Sequence, residues 1–209
     1  MVDFVGEEKA VGLLDAPVEA FKAALYTEAV EMAHYIPEVS RKNEGFLTSG
    51  QVNYVCRAGN FRKSGLKYTG ALRVLKVMLG YEYLWVNVRV KGGAYGCMCS
   101  FGRSGDSYFV SYRDPNLGRT IDIYEKAADA IAEFTADERT MTQYIIGAVS
   151  DLDVPMNPAA KGLYSLSAYM TGLDDAALQR EREELLSATV EDIRALSAHI
   201  RAFMQEDLL

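Results

Sequence analysis

An arginine and a tyrosine on either side of a glycine pair are the residues of this chain best suited to chemistry. The segment YEYLWVNVRVKGGAYG (81–96) places Arg89 and Tyr95 six positions apart, around Gly92 and Gly93. A peptide undergoing hydrolysis develops negative charge on its carbonyl oxygen, and one donor placed there typically contributes about 3 kcal/mol. Adjacent glycines let the backbone turn tightly and let a substrate strand approach. The pattern is therefore typical of a segment that binds a peptide backbone.

A purely structural interpretation of the same segment stays open. Arg89 lies where a helix is predicted to end, and cations are favoured at helix C-termini. Tyr95 would then only begin the following strand. The glycines do not indicate a phosphate loop, because neither G-x-x-x-x-G-K-[ST] nor G-x-G-x-x-G occurs there. Arg113 and Asp114 are further polar candidates, although an arginine that bonds a neighbouring turn is the commoner outcome.

Histidines and cysteines predict neither a metal site nor a nucleophile. The chain has two histidines, His34 and His199, so no zinc-peptidase helix with two closely spaced histidines can be formed. Three cysteines without a C-x-x-C pair make a poor disulfide framework and a poor zinc site. Cys97 and Cys99 are two residues apart and share one face of a strand, which favours burial as small apolar side chains. We expect no cofactor in this chain.

Composition excludes several classes of partner. The 209 residues carry a formal net charge of −7, which argues against nucleic acid because phosphate binding requires clustered Lys and Arg. No run of about 18 apolar residues occurs, so we expect no membrane span. The start, MVDFVGEEKA, lacks the basic and apolar regions of a secretory signal. These features predict a protein of a cytoplasmic, reducing environment.

Hydrophobic periodicity predicts an α+β fold, in which an antiparallel or mixed sheet is covered by helices and the later half is rich in helix. Strands are predicted over 1–5, 46–57, 95–101 and 107–113. A linker is predicted over 37–45 and a loop over 58–65. Helices are predicted from near residue 17, over 68–78, 81–88 and 159–171, and along an apolar stripe within 121–134. Three more helix starts are predicted from capping residues: a Thr135/Glu138 capping box, an Asp174 cap and a Thr189/Asp192 capping box. Pro115 ends the last strand, and Asn116 is a good helix cap.

Several segments in order resemble one family. They are QVNYV (51–55), YTGAL (68–72), EYLWVNVRVKGGAYG (82–96), SYRDPN (111–116) and IIG (145–147). Together they resemble the C-terminal part of presequence-protease-like zinc metallopeptidases, a subfamily of the pitrilysin/insulinase group that degrades transit peptides and other short unfolded peptides. The resemblance begins near Asn43 and runs to the end. It implies a C-terminal peptidase-family domain over 43–209, preceded over 1–42 by the tail of another family domain.

The resemblance also implies specific roles. Such enzymes contain four related α+β domains in two halves that close around a chamber. The first domain binds zinc through an inverted H-x-x-E-H motif and a distant Glu, and the last contributes an Arg and a Tyr that reach the substrate at the metal. Arg89 and Tyr95 match those two positions. The zinc ligands have no counterpart here, so the resemblance implies that the chain alone is inactive and acts with zinc-carrying N-terminal domains on oligopeptides.

An alternative of another class is a catalytically inert structural or assembly module. In that case the chain helps to form a peptide-binding chamber with partner domains, and Arg89 and Tyr95 carry no catalytic role. Apolar surface that other domains normally cover would be exposed in the isolated chain, so we expect it to self-associate.

Overall fold

The computed structural model describes residues 2–28, 31, 33–36, 47 and 49–205. These divide into two compact units, one from Met1–Ser40 with Pro155–Asp175 and the other from Arg41–Val154 with Ala176–Leu209. The helices are α1 (Glu8–Val11), α2 (Asp15–Ala23), α3 (Ala71–Met78), α4 (Gly118–Glu125), α5 (Ala127–Ala132), α6 (Glu138–Leu152), α7 (Pro158–Thr171), α8 (Asp175–Leu186), α9 (Val190–Ala195) and α10 (Ser197–Gln205). The strands are β1 (Asn53–Asn60), β2 (Gly96–Phe101) and β3 (Asp106–Asp114).

The first unit contains α1, α2 and α7. The strand predicted over 1–5 is wrong for residues 2–5, which have no strand conformation. A strand requires a hydrogen-bonding neighbour, and the described part of this unit offers only helices. Instead, Val5 packs so close to Gly162 of α7 that a side chain at Gly162 would collide with it. The linker predicted over 37–45 lies outside the described residues, and the domain boundary between residues 42 and 43 stays a prediction.

The second unit holds an antiparallel sheet in the order β1–β3–β2. β2 and β3 form the predicted hairpin, with Gly96 opposite Tyr112 and Phe101 opposite Ser107. This sheet, together with the helices around it, confirms the α+β class. The predicted bounds of the first strand, 46–57, are wrong at both ends. The described residues 47 and 49–52 are not strand and β1 begins at Asn53, whereas residues 58–60 pair with β3 down to Asn60 opposite Asp106.

A short 3-10 turn, Phe61–Ser64, replaces most of the loop predicted over 58–65. The Asn60 side chain caps this turn by accepting a hydrogen bond from the Arg62 N–H. β1 therefore runs directly into a capped turn.

Aromatic packing defines the centre of the second unit. The ring centroids of Phe109 and Phe203 are 5.2 Å apart, and those of Phe109 and Tyr124 are 5.5 Å apart. All three side chains are fully buried. They join β3, α4 and α10, so the last helix of the unit closes over the sheet.

α3 continues without a break into a π-helix, Leu79–Val90. The predicted break at Gly80 and the predicted helix over 81–88 are therefore replaced by one continuous helical run. The N–H of Lys91 donates to the carbonyl of Val86, five residues earlier, as expected of π geometry. π-Helices are rare, and their usual single-turn form often occurs at functional sites.

The helix-start predictions have mixed outcomes. The Thr189/Asp192 capping box at α9 is confirmed, with both reciprocal hydrogen bonds present. The Thr135/Glu138 box is wrong, because Asp137 caps α6 by accepting from the Thr140 N–H. The predicted stripe over 121–134 divides into α4 and α5, and the helix predicted over 159–171 is α7. α8 begins at Asp175, one residue after the predicted cap.

Candidate functional site

Arg89 lies in the last turn of the π-helix and stacks on a neighbouring indole. Its guanidinium carbon is 3.8 Å from the ring centroid of Trp85. Such a contact contributes about 0.5–1 kcal/mol at an exposed site and more when it is desolvated. Among the described residues Arg89 makes no ion pair. Its position at the helix end agrees with the sequence prediction, and its side chain is half-buried.

The turn after Arg89 is fixed by backbone hydrogen bonds. The Gly93 N–H donates to the Arg89 carbonyl at 2.8 Å, and the Ala94 N–H donates to the Val88 carbonyl at 3.2 Å. Gly93 has a φ of +82°, which favours glycine, and a side chain at Gly92 would collide with the Val88 carbonyl oxygen. The predicted tight turn is therefore present, and both of its glycines are required by the backbone.

Tyr95 points into solvent directly after the turn. Its side chain is 60% exposed, and no hydrogen bond of its hydroxyl is formed within the described part of the chain. The ring packs edge-on against Tyr112, with centroids 5.5 Å apart, and the Arg113 guanidinium lies 5.5 Å from its centroid. Its backbone N–H donates to the Arg113 carbonyl at 3.3 Å. The phenol is thus held by its ring while its hydroxyl stays available.

The turn brings Arg89 and Tyr95 onto one short segment, although the two side chains have different neighbours. Arg89 rests on Trp85, whereas Tyr95 rests on Tyr112 and Arg113. Burial raises the pKa of the Cys97 thiol to about 11, and the charge of Arg89 opposes part of that rise. The Arg89 guanidinium therefore lies within electrostatic range of β2, two residues beyond Tyr95.

A buried carboxylate at the end of β3 supports the turn, and the sequence prediction missed this role. Asp114 is fully buried and accepts hydrogen bonds from Ser111 Oγ at 2.6 Å, Thr120 Oγ1 at 2.8 Å and the Asn116 N–H at 2.8 Å. Asn116 Nδ2 donates to the Gly92 carbonyl. The predicted helix-cap role of Asn116 is wrong, because Leu117 occupies that position of α4. The only available signal was the spacing of Ser, Asp and Thr around SYRDPN.

Arg113, the residue before this carboxylate, has a φ of +48°, in the left-handed region that non-glycine residues rarely adopt. Its side chain contacts the Tyr95 ring. The strained residue therefore lies directly under the exposed phenol, in the kind of position where backbone strain is often associated with function.

The described residues offer no fit for a metal. They contain no group of three or more His, Cys, Asp or Glu side chains that could hold an ion. His199 Nε2 lies 2.9 Å from the Lys67 carbonyl oxygen, and its ring packs against Phe61, so this histidine has a packing role. Burial raises the pKa of the Cys99 thiol to about 12, which is the opposite of an activated nucleophile. No helix within the described ranges is long and apolar enough to cross a membrane.

Comparison with known families identifies the chain. Residues 43–206 match the family described as "PreP C-terminal domain". The chain belongs to this family. The resemblance read from the segments between residues 51 and 147 is thereby confirmed.

Curated relatives of this PreP C-terminal domain are much longer proteins. "Protein HypA" of Clostridium perfringens is 40% identical over 209 residues, which are 100% of this chain and 22% of that protein. "Presequence protease 1, chloroplastic/mitochondrial" of Arabidopsis thaliana is 40% identical over 154 residues, 73% of this chain and 14% of that protein. "Presequence protease, mitochondrial" of Eremothecium gossypii is 30% identical over 155 residues, 70% of this chain and 15% of that protein. The chain thus spans less than a quarter of each.

Proposed function

We propose that this chain is the substrate-gripping C-terminal domain of a zinc metallopeptidase that degrades short unfolded peptides. Two findings support the proposal: relatives named presequence proteases, and the small share of those proteins that the chain spans. The zinc and the hydrolytic chemistry are assigned to other domains of the parent enzyme, since no metal-binding group occurs among the described residues. The cytoplasmic location stays a prediction.

The exposed phenol of Tyr95 is the observation that carries this proposal. A buried tyrosine would have no access to a substrate held by another domain, whereas Tyr95 is 60% exposed. Its hydroxyl donates to the carbonyl oxygen of the peptide bond as negative charge develops there. Because the ring is already held by Tyr112 and Arg113, little reorganisation is required at the moment of reaction.

Arg89 binds the substrate backbone beside that phenol. Its guanidinium is held from below by Trp85 and has no carboxylate partner among the described residues, so its N–H groups are free to donate to peptide carbonyls. Partial burial strengthens such hydrogen bonds relative to those made in water. Gly92 and Gly93 leave room for the peptide to approach the backbone of the turn.

The test is a conservative substitution in the longest natural polypeptide that contains this sequence. Tyr95→Phe removes the hydroxyl and retains the ring, so kcat on an unfolded peptide is expected to fall about tenfold to a thousandfold. Zinc content should remain unchanged. Tyr54→Phe, which alters an exposed tyrosine on β1, is the matched control and should retain wild-type turnover.

Two outcomes would remove the proposal. Wild-type turnover by Tyr95→Phe would exclude a role for the hydroxyl in the reaction. If Arg89→Ala also left turnover and KM unchanged, the inert assembly module would be the correct function instead.

A further inference from the structure

The outer edge of β2 is an unpaired strand edge. Among the described residues β2 pairs with β3 on one side and with no strand on the other. The other outer strand, β1, is covered by α10, since Arg57 donates to the Met204 carbonyl and Gly59 packs tightly against Phe203. Free backbone N–H and C=O groups along a strand edge are a template for an extended peptide. β2 is therefore the edge of this sheet that has no strand beside it among the described residues, and its other close neighbours are the π-helix and α3.

Two hollows follow this edge one after the other. The first has a volume of about 490 Å³ and is lined on the strand side by residues 97–99. The second has a volume of about 200 Å³ and is lined by residues 100–103. Lys76 lines both hollows and joins them. At about 3.3 Å per residue, the five strand residues from 97 to 101 span about 16 Å, enough for five extended residues of a ligand.

The first hollow is apolar. Trp85 is 40% exposed and Met98 is 46% exposed, and both line it together with Tyr81 and Val77. Large apolar side chains exposed side by side gain free energy when a partner covers them. Helical residues of α3, the π-helix and α6 also line this hollow.

The second hollow carries positive charge. Three of the cations that line it are Arg73, Lys76 and Arg103. Lys76 pairs with Asp151, and Arg103 donates from Nε and Nη2 to the two carboxylate oxygens of Glu181. Arg73 makes no ion pair within the described residues.

Arg73 contacts Tyr68 and has no carboxylate partner among the described residues. Its Nε atom is buried without a hydrogen-bond partner. Burial raises the pKa of the adjacent Tyr68, and the charge of Arg73 and a hydrogen bond between the two side chains oppose part of that rise. Three cations against two carboxylates leave one positive charge, which is complementary to a carboxylate.

We infer that the β2 edge binds an extended peptide of about five residues, with apolar side chains against Trp85 and Met98 and a carboxylate at Arg73 and Lys76. The ligand class is therefore a short, apolar, acid-ended peptide. This site adjoins the Arg89–Tyr95 segment and shares Trp85 with it, and peptide binding there requires no zinc-carrying domain. It is tested by peptide binding to the 209-residue chain, whereas the proposed function is tested by turnover of the longer polypeptide, so the two proposals can fail separately.

Trp85 provides a direct readout, because it is the only tryptophan of the chain. The probes are acetyl-Leu-Phe-Leu-Ala-Glu, the reversed sequence acetyl-Glu-Ala-Leu-Phe-Leu-amide, and the uncharged analogue acetyl-Leu-Phe-Leu-Ala-Gln-amide. At least one of the two acidic peptides should change the tryptophan emission saturably. The acidic peptide with the higher affinity shows which end of the bound strand lies at Arg73. The uncharged analogue should bind about tenfold more weakly, as expected for loss of a hydrogen-bonded charge.

Paired variants separate binding from folding. Met98→Glu should abolish the emission change, whereas Leu186→Glu, an exposed apolar position on α8 outside both hollows, should retain it. Lys76→Gln should weaken binding severalfold, with Lys126→Gln as its control. Arg73→Gln should also weaken binding. If circular dichroism shows that this variant does not fold, Lys76→Gln alone tests the contribution of positive charge.

Three results would overturn the inference. One is the absence of a saturable emission change with either acidic peptide at millimolar concentration. Another is equal affinity for the acidic and uncharged peptides. The third is a concentration-dependent dimer that Met98→Glu dissociates in sedimentation, because the edge would then bind a second copy of the chain.

Discussion

Removal of the Asp114 carboxylate is expected to destabilise the second unit strongly. Asp114→Ala deletes the acceptor of three hydrogen bonds, from Ser111 Oγ, Thr120 Oγ1 and the Asn116 N–H. Ser111, Asp114 and Thr120 are all buried, so water cannot readily replace the lost acceptor. The turn between β3 and α4 loses its central contact.

The magnitude follows from these contacts. An unsatisfied buried donor costs about 1–3 kcal/mol, and the two hydroxyls lie at the lower end because they can rotate toward other acceptors. Relief of the buried charge offsets part of the sum. We expect Asp114→Ala to lower the free energy of unfolding by about 3 kcal/mol. Asp114→Asn preserves the shape and one acceptor oxygen, and should cost about 1 kcal/mol.

Urea denaturation monitored by circular dichroism measures the difference, with Asp122→Ala on the exposed face of α4 as the control. Surface substitutions of that kind usually lie within about 0.5 kcal/mol of wild type. A loss below about 1 kcal/mol for Asp114→Ala, or equal losses for the Ala and Asn variants, would refute the assigned role of the three hydrogen bonds.

Two further predictions concern the turn and the thiols. Gly92→Ala should lower the free energy of unfolding, measured by urea denaturation, by about 2 kcal/mol, because the added methyl group meets the Val88 carbonyl oxygen. Gly80→Ala adds a methyl group where there is open space, so it should be neutral or slightly stabilising. Equal effects of the two substitutions would contradict this prediction. With a pKa of about 11, only about one Cys97 side chain in a thousand is a thiolate at pH 8. Iodoacetamide should therefore label the exposed Cys56 before Cys97, and the rate of Cys97 labelling should rise about tenfold with each pH unit up to pH 10. Peptide mass spectrometry follows both reactions. Labelling of Cys97 as fast as that of Cys56 at pH 8 would show that its pKa is not raised.

Local patterns predicted local structure well. The β2–β3 hairpin and the Thr189 capping box were predictable because every interaction involved lies within about 20 residues. The bounds of β1 were not, since its last residues form a strand only through pairing with β3, some 46 residues later. The π-helix was missed because such helices are rare and no sequence motif marks their i→i+5 hydrogen bonds.

The candidate site shows the same division. Residue type and spacing indicated Arg89, Tyr95 and the glycine turn. They could not indicate Asp114, because a buried aspartate and an ordinary turn aspartate look alike in sequence. Nor could they indicate the hydrogen bond from Asn116 to Gly92, which joins residues 24 apart.

The packing of β1 against α10 has a consequence for folding during protein synthesis. Arg57 and Met204 are separated by 147 residues, so the strand emerges from a ribosome long before its cover exists. During that interval the sheet can pair, but the rings that α10 would bury remain open to water and to other chains. Folding of this domain is therefore completed only after α10 has been synthesised, and nascent chains that stall before α10 should be clients of chaperones.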